Sequence, residues 1–417
     1  QTPRDEIWLR DSYGAGIKDA LQFLPERQFT LIHRSHFTAL DAIEQAFEGL
    51  PCAQSMSFKY SQAHMYSGIR PNFGDAFFDD LRGRKKTTWL TVRNDDFYMY
   101  RWADPAFARE YLTHMPHDIL EGFYMGPDGY IWGREYISRD KNVFGGLVIE
   151  KMWMMLAIWG RLSYDINLSD GYFESLIKSR FPFADSKRLL AAWSAASRVI
   201  PLFQRTHWNN MDFQWYPEGC CFFRQTVEAP IFGSVNEFMQ CPAMPGSGHL
   251  GVGEYCEAKH DGKTPSGITP LECAQEIYDN AAFAAKEAAE LLSRENTGDP
   301  HLLATLNDIL ALSLLGRYYS LKLKAAVSLK DYMLQGGDEC RRDAVKLLED
   351  AHCVWSEYAQ FSLRLYKPQM LNRFKHSIDL ERFCHNTRLD VLIAKNTRTD
   401  ALQHSCSSAN DSIDSIR

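Results

Sequence analysis

The chain has 417 residues, 45% hydrophobic and 24% charged, with a formal net charge of −7. That balance excludes bulk disorder and allows two or three domains with sizeable cores. The acidic excess argues against a nucleic-acid or anionic-membrane partner, which wants a basic face. No run of about 18 apolar residues occurs, and the longest candidate, Val148 to Ile158, is broken by Glu150 and Lys151, so no membrane-spanning helix is expected.

The start, Gln1 to Leu9, is polar and charged, unlike a signal peptide. The 10 cysteines lie scattered without CxxC or CxxH spacing, so a structural zinc site is not expected, and the chain is read as using no cofactor. Mostly free thiols suit a cytoplasmic location, with a periplasmic one left open. Cys220-Cys221 suggests no function.

In chain order, Ser12 to Leu21 reads as an amphipathic helix. Phe29 to His36 reads as a strand ending in basic groups, and about Ala39 to Phe47 as a helix. Ser55 to Ser61 is the second strand, with a polar and aromatic loop from Gln62 to Ser67. Thr87-Thr88-Trp89-Leu90-Thr91-Val92, rich in β-branched and aromatic types, is the third and runs into the charged cluster Arg93-Asn94-Asp95-Asp96. Asp104 and Pro105 begin a helix as N-cap and first residue. Asp118 to Met125 is the fourth strand, ending in Gly126-Pro127-Asp128-Gly129-Tyr130-Ile131-Trp132-Gly133-Arg134-Glu135-Tyr136.

Strands at a period of about 30 residues with helices between them predict a parallel α/β sheet. Chemistry-bearing residues at each strand end suit the C-terminal face of a TIM-barrel-like (β/α) sheet. Four units are half of an eight-stranded barrel, so the sheet is either the C-terminal half of a barrel or open. The barrel portion is expected over residues 1–165.

Helices follow at 144–162, 169–180 and 185–199. Residues 201–268, rich in Gly, Pro, Phe and Trp, predict a long, irregular, packed excursion within a segment spanning 166–268. Thr269-Pro270-Leu271-Glu272 is a capping box. It opens an all-helical bundle over 269–398, with Ala274, Ile277, Ala281, Ala285, Ala288 and Leu292 as one inward stripe. Asp299-Pro300 caps a second helix, with Leu303, Leu306, Leu310 and Leu314 inward. Ala344, Leu348, Ala351, Trp355 and Tyr358 mark a third. Residues 399–417 are polar and Ser-rich, and disorder is expected there.

Three segments, Arg93-Asn94-Asp95-Asp96, Gly126-Pro127-Asp128-Gly129-Tyr130 and Trp159-Gly160-Arg161-Leu162-Ser163-Tyr164-Asp165, carry a resemblance to the α-glucuronidase type of glycoside hydrolase. It extends over about residues 28–370. The resemblance implies a TIM barrel with an all-helical C-terminal domain, no metal, and carboxylic acids acting on an oligosaccharide that bears uronic acid. One departure is that Lys59-Tyr60-Ser61-Gln62-Ala63-His64 carries no acid where the family leads one to expect it.

Glycoside hydrolysis needs two carboxyl groups, one protonated and one ionised. Asp96 is the first choice, with Asp95 adjacent and pointing the other way in an extended chain. Asp128 sits in a turn sequence that would place an Asp there for structure alone, and Glu135 neighbours Arg134. Glu121 lies inside a strand, so it is either buried and functional or a sign that the strand frame slips by one. His33, Arg34, His36, Lys59, His64, Arg70 and Arg93 supply positive charge able to clamp a carboxylate, and Asn94 can bind a hydroxyl. Trp102 and Trp132 are candidates to stack on sugar faces, although core packing is the commoner fate of Trp. His207-Trp208-Asn209-Asn210 and Trp215-Tyr216 are candidates to cover the pocket.

The expected function is hydrolysis of an oligosaccharide derived from a plant or algal polysaccharide. Two alternatives stay open: a carbohydrate-binding protein on the same scaffold, and a helical interaction protein that dimerises through 269–366.

Overall fold

The computed structural model describes residues 7–34, 38–59, 68–70, 75–92, 99–125, 138–140, 142–143, 148–208, 215–222, 229–294, 298–371 and 376–399. Contacts divide the chain into two compact units. One comprises Gln1–Met65, Pro71–Asn94 and His114–Pro127, and the other Tyr66–Arg70, Asp95–Thr113 and Asp128–Arg417.

The first unit is the α/β part. A π-helical turn at Leu9–Gly14 leads into α1 (Ala15–Phe23). Then come β1 (Thr30–Arg34), α2 (Leu40–Ala46), β2 (Ala53–Lys59), α3 (Asp75–Gly83), β3 (Thr88–Val92) and β4 (Leu120–Met125). The four strands pair in sequence order, and every pairing is parallel. This is the expected α/β arrangement. One face of the sheet carries the buried Met56, Thr88, Leu90 and Val92. There Phe58 stacks on Phe77 of α3 at 4.2 Å and meets Phe78 edge-on at 5.5 Å. Arg84 ties the two connecting helices together, reaching Asp41 at 2.6 Å and Glu44 at 2.9 Å.

A bulge falls between Thr88 and Trp89, which pair with Leu120 and Gly122 and skip Glu121. The extra residue resolves the alternatives for Glu121: the frame slips by one, as a bulge requires. Glu121 is exposed and accepts hydrogen bonds from Thr87 Oγ1 at 2.6 Å and Trp89 Nε1 at 2.9 Å. Gly122 is needed beside it, because a Cβ there would lie 2.7 Å from the Trp89 ring.

The second unit is mostly helical. It begins with α4 (Pro105–Thr113), α5 (Val148–Lys151), α6 (Trp153–Tyr164), α7 (Asp170–Arg180) and α8 (Ser186–Thr206). Asp104 caps α4 as expected, accepting from Ala106 N at 3.2 Å. Yet α4, which lies between β3 and β4 in sequence, belongs with α6 by its contacts. The contacts therefore do not divide at the expected residue 165. The reason is aromatic: Trp102 stacks on Trp159 at 6.3 Å, and Tyr111 meets the same ring edge-on at 5.3 Å.

Within 201–268 the chain is packed, as expected, and more regular than expected. Helix α8 runs through Pro201 to Thr206. A small antiparallel sheet follows, β5 (Trp215–Tyr216), β6 (Cys221–Phe222) and β7 (Ile231–Phe232), and then α9 (Val235–Gln240) and α10 (Val252–His260).

The bundle then comprises α11 (Pro270–Arg294), α12 (Pro300–Gln335) and α13 (Asp338–Leu365). A short antiparallel ribbon, β8 (Gln369–Leu371) with β9 (His376–Ile378), precedes α14 (Phe383–Asn396). The capping box is present: Thr269 N donates to Glu272 Oε2 at 2.8 Å, and Glu272 N to Thr269 Oγ1 at 3.2 Å. Ala344, Leu348, Ala351, Trp355 and Tyr358 are all buried, as their stripe predicts. On α11 the inward stripe uses Ala284 and Leu291, one residue before the expected Ala285 and Leu292. Helix α12, 36 residues long, shows no single inward face. It packs against α8, α9, α10, α11 and α13, and Leu303 and Leu310 are only half-buried. Residues 400–417, expected to be disordered, lie outside the described residues.

Candidate functional site

Parallel pairing brings the C-terminal ends of all four strands to one edge of the sheet. Arg34 is in register with Ser57, Lys59 with Thr91, and Val92 with Met125. Open α/β sheets and barrels alike use that edge for chemistry. Of the candidate residues, Lys59 closes β2 at this edge. Arg93, Asn94, Asp95, Asp96, His36, His64, Asp128, Trp132 and Glu135 lie outside the described residues, although the segments that carry them continue from these strand ends.

The sheet face opposite the helices is lined with hydroxyls. Tyr124 OH is 2.9 Å from Ser57 Oγ and accepts from Thr91 Oγ1 at 2.7 Å. Thr87 Oγ1 lies 3.3 Å from Ser55 Oγ, so the network spans three strands. Ser55, Ser57 and Thr91 are buried while Tyr124 is 40% exposed. Of these four, Tyr124 is the hydroxyl that reaches solvent and through which the face can meet a polyhydroxylated ligand. None of these residues is a candidate on sequence grounds. The signal is nonetheless there in the period-two recurrence of Ser55 and Ser57, and of Thr87, Trp89 and Thr91.

Several candidate side chains are elsewhere. His33 is in register with Met56, on the helix side of the sheet, where its ring lies 6.0 Å from Phe47 and burial lowers its pKa. It is a half-buried histidine on the helix side whose charged form burial disfavours, not a cation at the strand ends. Trp102, 1% exposed, is core and leaves no face for a sugar. His207 is fully buried against Phe203, Trp215 and Phe238, and burial drives its pKa down to about 3. Trp208, Trp215 and Tyr216 are buried as well. The expected aromatic cover is core, because this segment packs on α8 and α12.

The residues directly after the Arg93–Asp96 stretch are clamped within the helical unit. Met99 N donates to Glu218 Oε1 at 3.4 Å, and Met99 O accepts from Lys151 Nζ. Arg101 pairs with Asp308 at 2.6 Å, both buried, and Asp308 accepts a further bond from Tyr366 OH at 2.6 Å. Ala103 N donates to Ser197 Oγ at 2.9 Å, and Arg101 O accepts from Trp193 Nε1 at 3.0 Å. Burial lowers the Lys151 pKa to about 7. Cys220 and Cys221 are buried free thiols whose pKa values burial raises. Among the described residues, no cluster of three or more His, Cys, Asp or Glu side chains could hold a metal.

No family model and no curated protein matches the chain. Among solved structures, it resembles a GH138 enzyme targeting pectin rhamnogalacturonan II. The TM-score is 0.74 at 16% identity, over 94% of this chain and 49% of that one. The chain thus spans about half the length of that enzyme, and at this identity the likeness is one of fold.

Proposed function

We propose that this chain carries a glycoside hydrolase activity directed at a plant cell-wall polysaccharide of the pectin class. The observation that carries the reading is the fold likeness to a pectin-targeting GH138 enzyme along 94% of the chain. The hydroxyl-lined sheet face and the convergence of the strand ends agree with it. The finer reading, from the resemblance to α-glucuronidases, is a substrate bearing uronic acid. Lys59, His36, His64 and Arg93 would clamp its carboxylate, and Asn94 and Trp132 would contact the sugar. Asp96 is the first choice for an essential carboxyl, with Asp95, Asp128 and Glu135 as candidates for its partner. General acid and base are roles two carboxyls can divide when their surroundings hold their pKa values apart.

The test is turnover of rhamnogalacturonan II fragments and of pectic oligosaccharides by the wild type, Asp96→Asn and Asp95→Asn. Loss of acid–base catalysis costs at least ~10²-fold in kcat. Turnover within a few fold of wild type for both variants rules out the carboxyl assignment. Glycan binding by the wild type with no turnover of any fragment replaces the hydrolase reading with that of a carbohydrate-binding protein.

A further inference from the structure

The helical unit holds a second concave site, formed by none of the candidate residues above. The start of α4 and helices α7, α8 and α11 enclose a cleft of about 560 Å³, within the range of ~300–1,000 Å³ typical of small-ligand sites. Its floor is an ion pair. Arg198 Nε lies 2.9 Å from Asp104 Oδ2, and the Asp104 side chain is only 3% exposed. Because Asp104 also caps α4, this floor is fixed from two helices.

Phe283 of α11 lines the cleft and leaves 45% of its surface to water. Around it stand polar side chains with hydrogen-bonding capacity to spare. Those of Glu174, Lys187 and Ser194 make no hydrogen bond or ion pair with any of the described residues, and Asp279 only accepts from Gln275 at 2.8 Å. A flat apolar ring beside free acceptors and a free ammonium matches a sugar ring, which offers a C–H face and a hydroxyl edge. Charge narrows the class. Of the four carboxylates in the lining, Asp104 is paired with Arg198 and Asp170 with Arg109 at 3.1 Å, which leaves Glu174 and Asp279 against Lys187, so a uronate is disfavoured by like charge.

We propose that this cleft is a binding site for a neutral sugar unit. The proposal rests on the reading of the chain as a pectin-directed hydrolase, for which the site would hold a neutral residue of the same polysaccharide.

The experiment is a saturation-transfer NMR titration of the full chain with L-rhamnose, D-galactose and D-galacturonate, repeated on Phe283→Ala and Glu174→Gln. Both side chains border the open cleft, and circular dichroism verifies the fold of each variant. At least one neutral sugar should bind in a Phe283-dependent way, and any Phe283-dependent binding of galacturonate should be about tenfold weaker, as like-charge repulsion of a little over 1 kcal/mol implies. Phe283→Ala should weaken neutral-sugar binding about 3- to 10-fold, the worth of one aromatic contact. Turnover of a short pectic substrate should stay unchanged in both variants.

Equal binding in the wild type and both variants overturns the proposal. So does Phe283-dependent galacturonate binding as tight as that of the neutral sugars, or no neutral sugar bound at about 50 mM, well above the ~1 mM dissociation constant of a modest ligand. If Phe283-dependent binding is found and no glycan is turned over, the hydrolase reading falls and the cleft stands. Turnover without Phe283-dependent binding overturns the cleft and leaves the hydrolase reading in place.

Discussion

At the scale of single residues, two buried lysines illustrate two ways of carrying a charge inside a protein. Lys322, wholly buried, pairs with Asp390 at 2.8 Å and lies over the rings of Phe232 and Phe238 at 4.3 and 4.6 Å. Lys151 donates to Met99 O and sits 4.5 Å above the Tyr366 ring, and burial lowers its pKa to about 7. Below pH ~7 Lys151 is charged in both folded and unfolded chains, so the burial cost is fully present. Between pH ~7 and its ordinary ~10.4 the unfolded chain keeps a proton the folded one has lost, and the stability of the folded chain therefore rises with pH. The burial cost is thus largest below pH ~7 and is relieved above it, since the folded chain sheds the buried charge by releasing the proton. Lys151→Met removes this dependence. Its stability advantage over the wild type in urea unfolding should therefore be larger at pH 6.5 than at pH 9, and a gap that does not change with pH would contradict the titration. Lys151 is visible in the sequence as the charge breaking the apolar run from Val148 to Ile158. Its burial is not, because Met99 and Asp308 are brought to it only by the fold.

At the scale of elements, legibility follows how much of an element one neighbour covers. The stripe of α13 can be read because that helix buries one face, and the start of α11 because its capping box is local chemistry. Helix α12 cannot be read as a stripe: neighbours on several sides leave no polar face to set the period. The bulge at Glu121 belongs to the pairing of two strands and is invisible in either strand alone. The crowding of α12 makes a prediction at Gly316. A Cβ there would lie 2.9 Å from both Ala281 Cβ and Val199 Cγ2. Helix propensity favours Gly316→Ala by up to ~1 kcal/mol, whereas overpacking a tight helix contact costs about 1–3 kcal/mol. Overpacking should win, lowering the denaturant midpoint at unchanged m-value. A more stable Gly316→Ala protein would mean that α8 and α11 give way freely at that contact.

At the scale of the whole molecule, the fold class is legible because the β–α alternation and the later helical periods are each long and regular. The site is legible only as an edge. Parallel strand order predicts that the ends after Arg34, Lys59, Val92 and Met125 share one side of the sheet, and they do. Which side chains line that side depends on the pleat, which a sequence reveals only once the register is known. That is why Tyr124 with Ser57 and Thr91 escapes a reading of the sequence, and why His33 looks like a strand-end cation when it faces the core. The central helix of the second unit and the edge strand of the first also differ in how they are covered. Leu306, Ile309, Leu315, Tyr318, Tyr319 and Leu323 of α12 are each fully buried, while Ile32 in the middle of β1 is 41% exposed. Backbone amides open most rarely where the most burial must be undone. Native-state hydrogen exchange should therefore find the amides around Leu315 to Leu323 the slowest in the chain, and those of β1 faster by at least about tenfold, a difference well inside the span from local fraying to global unfolding. The comparison needs one sample and one pH, so ligand and buffer effects cancel. If β1 exchanges as slowly as α12, that edge of the sheet is covered by something beyond its described neighbours.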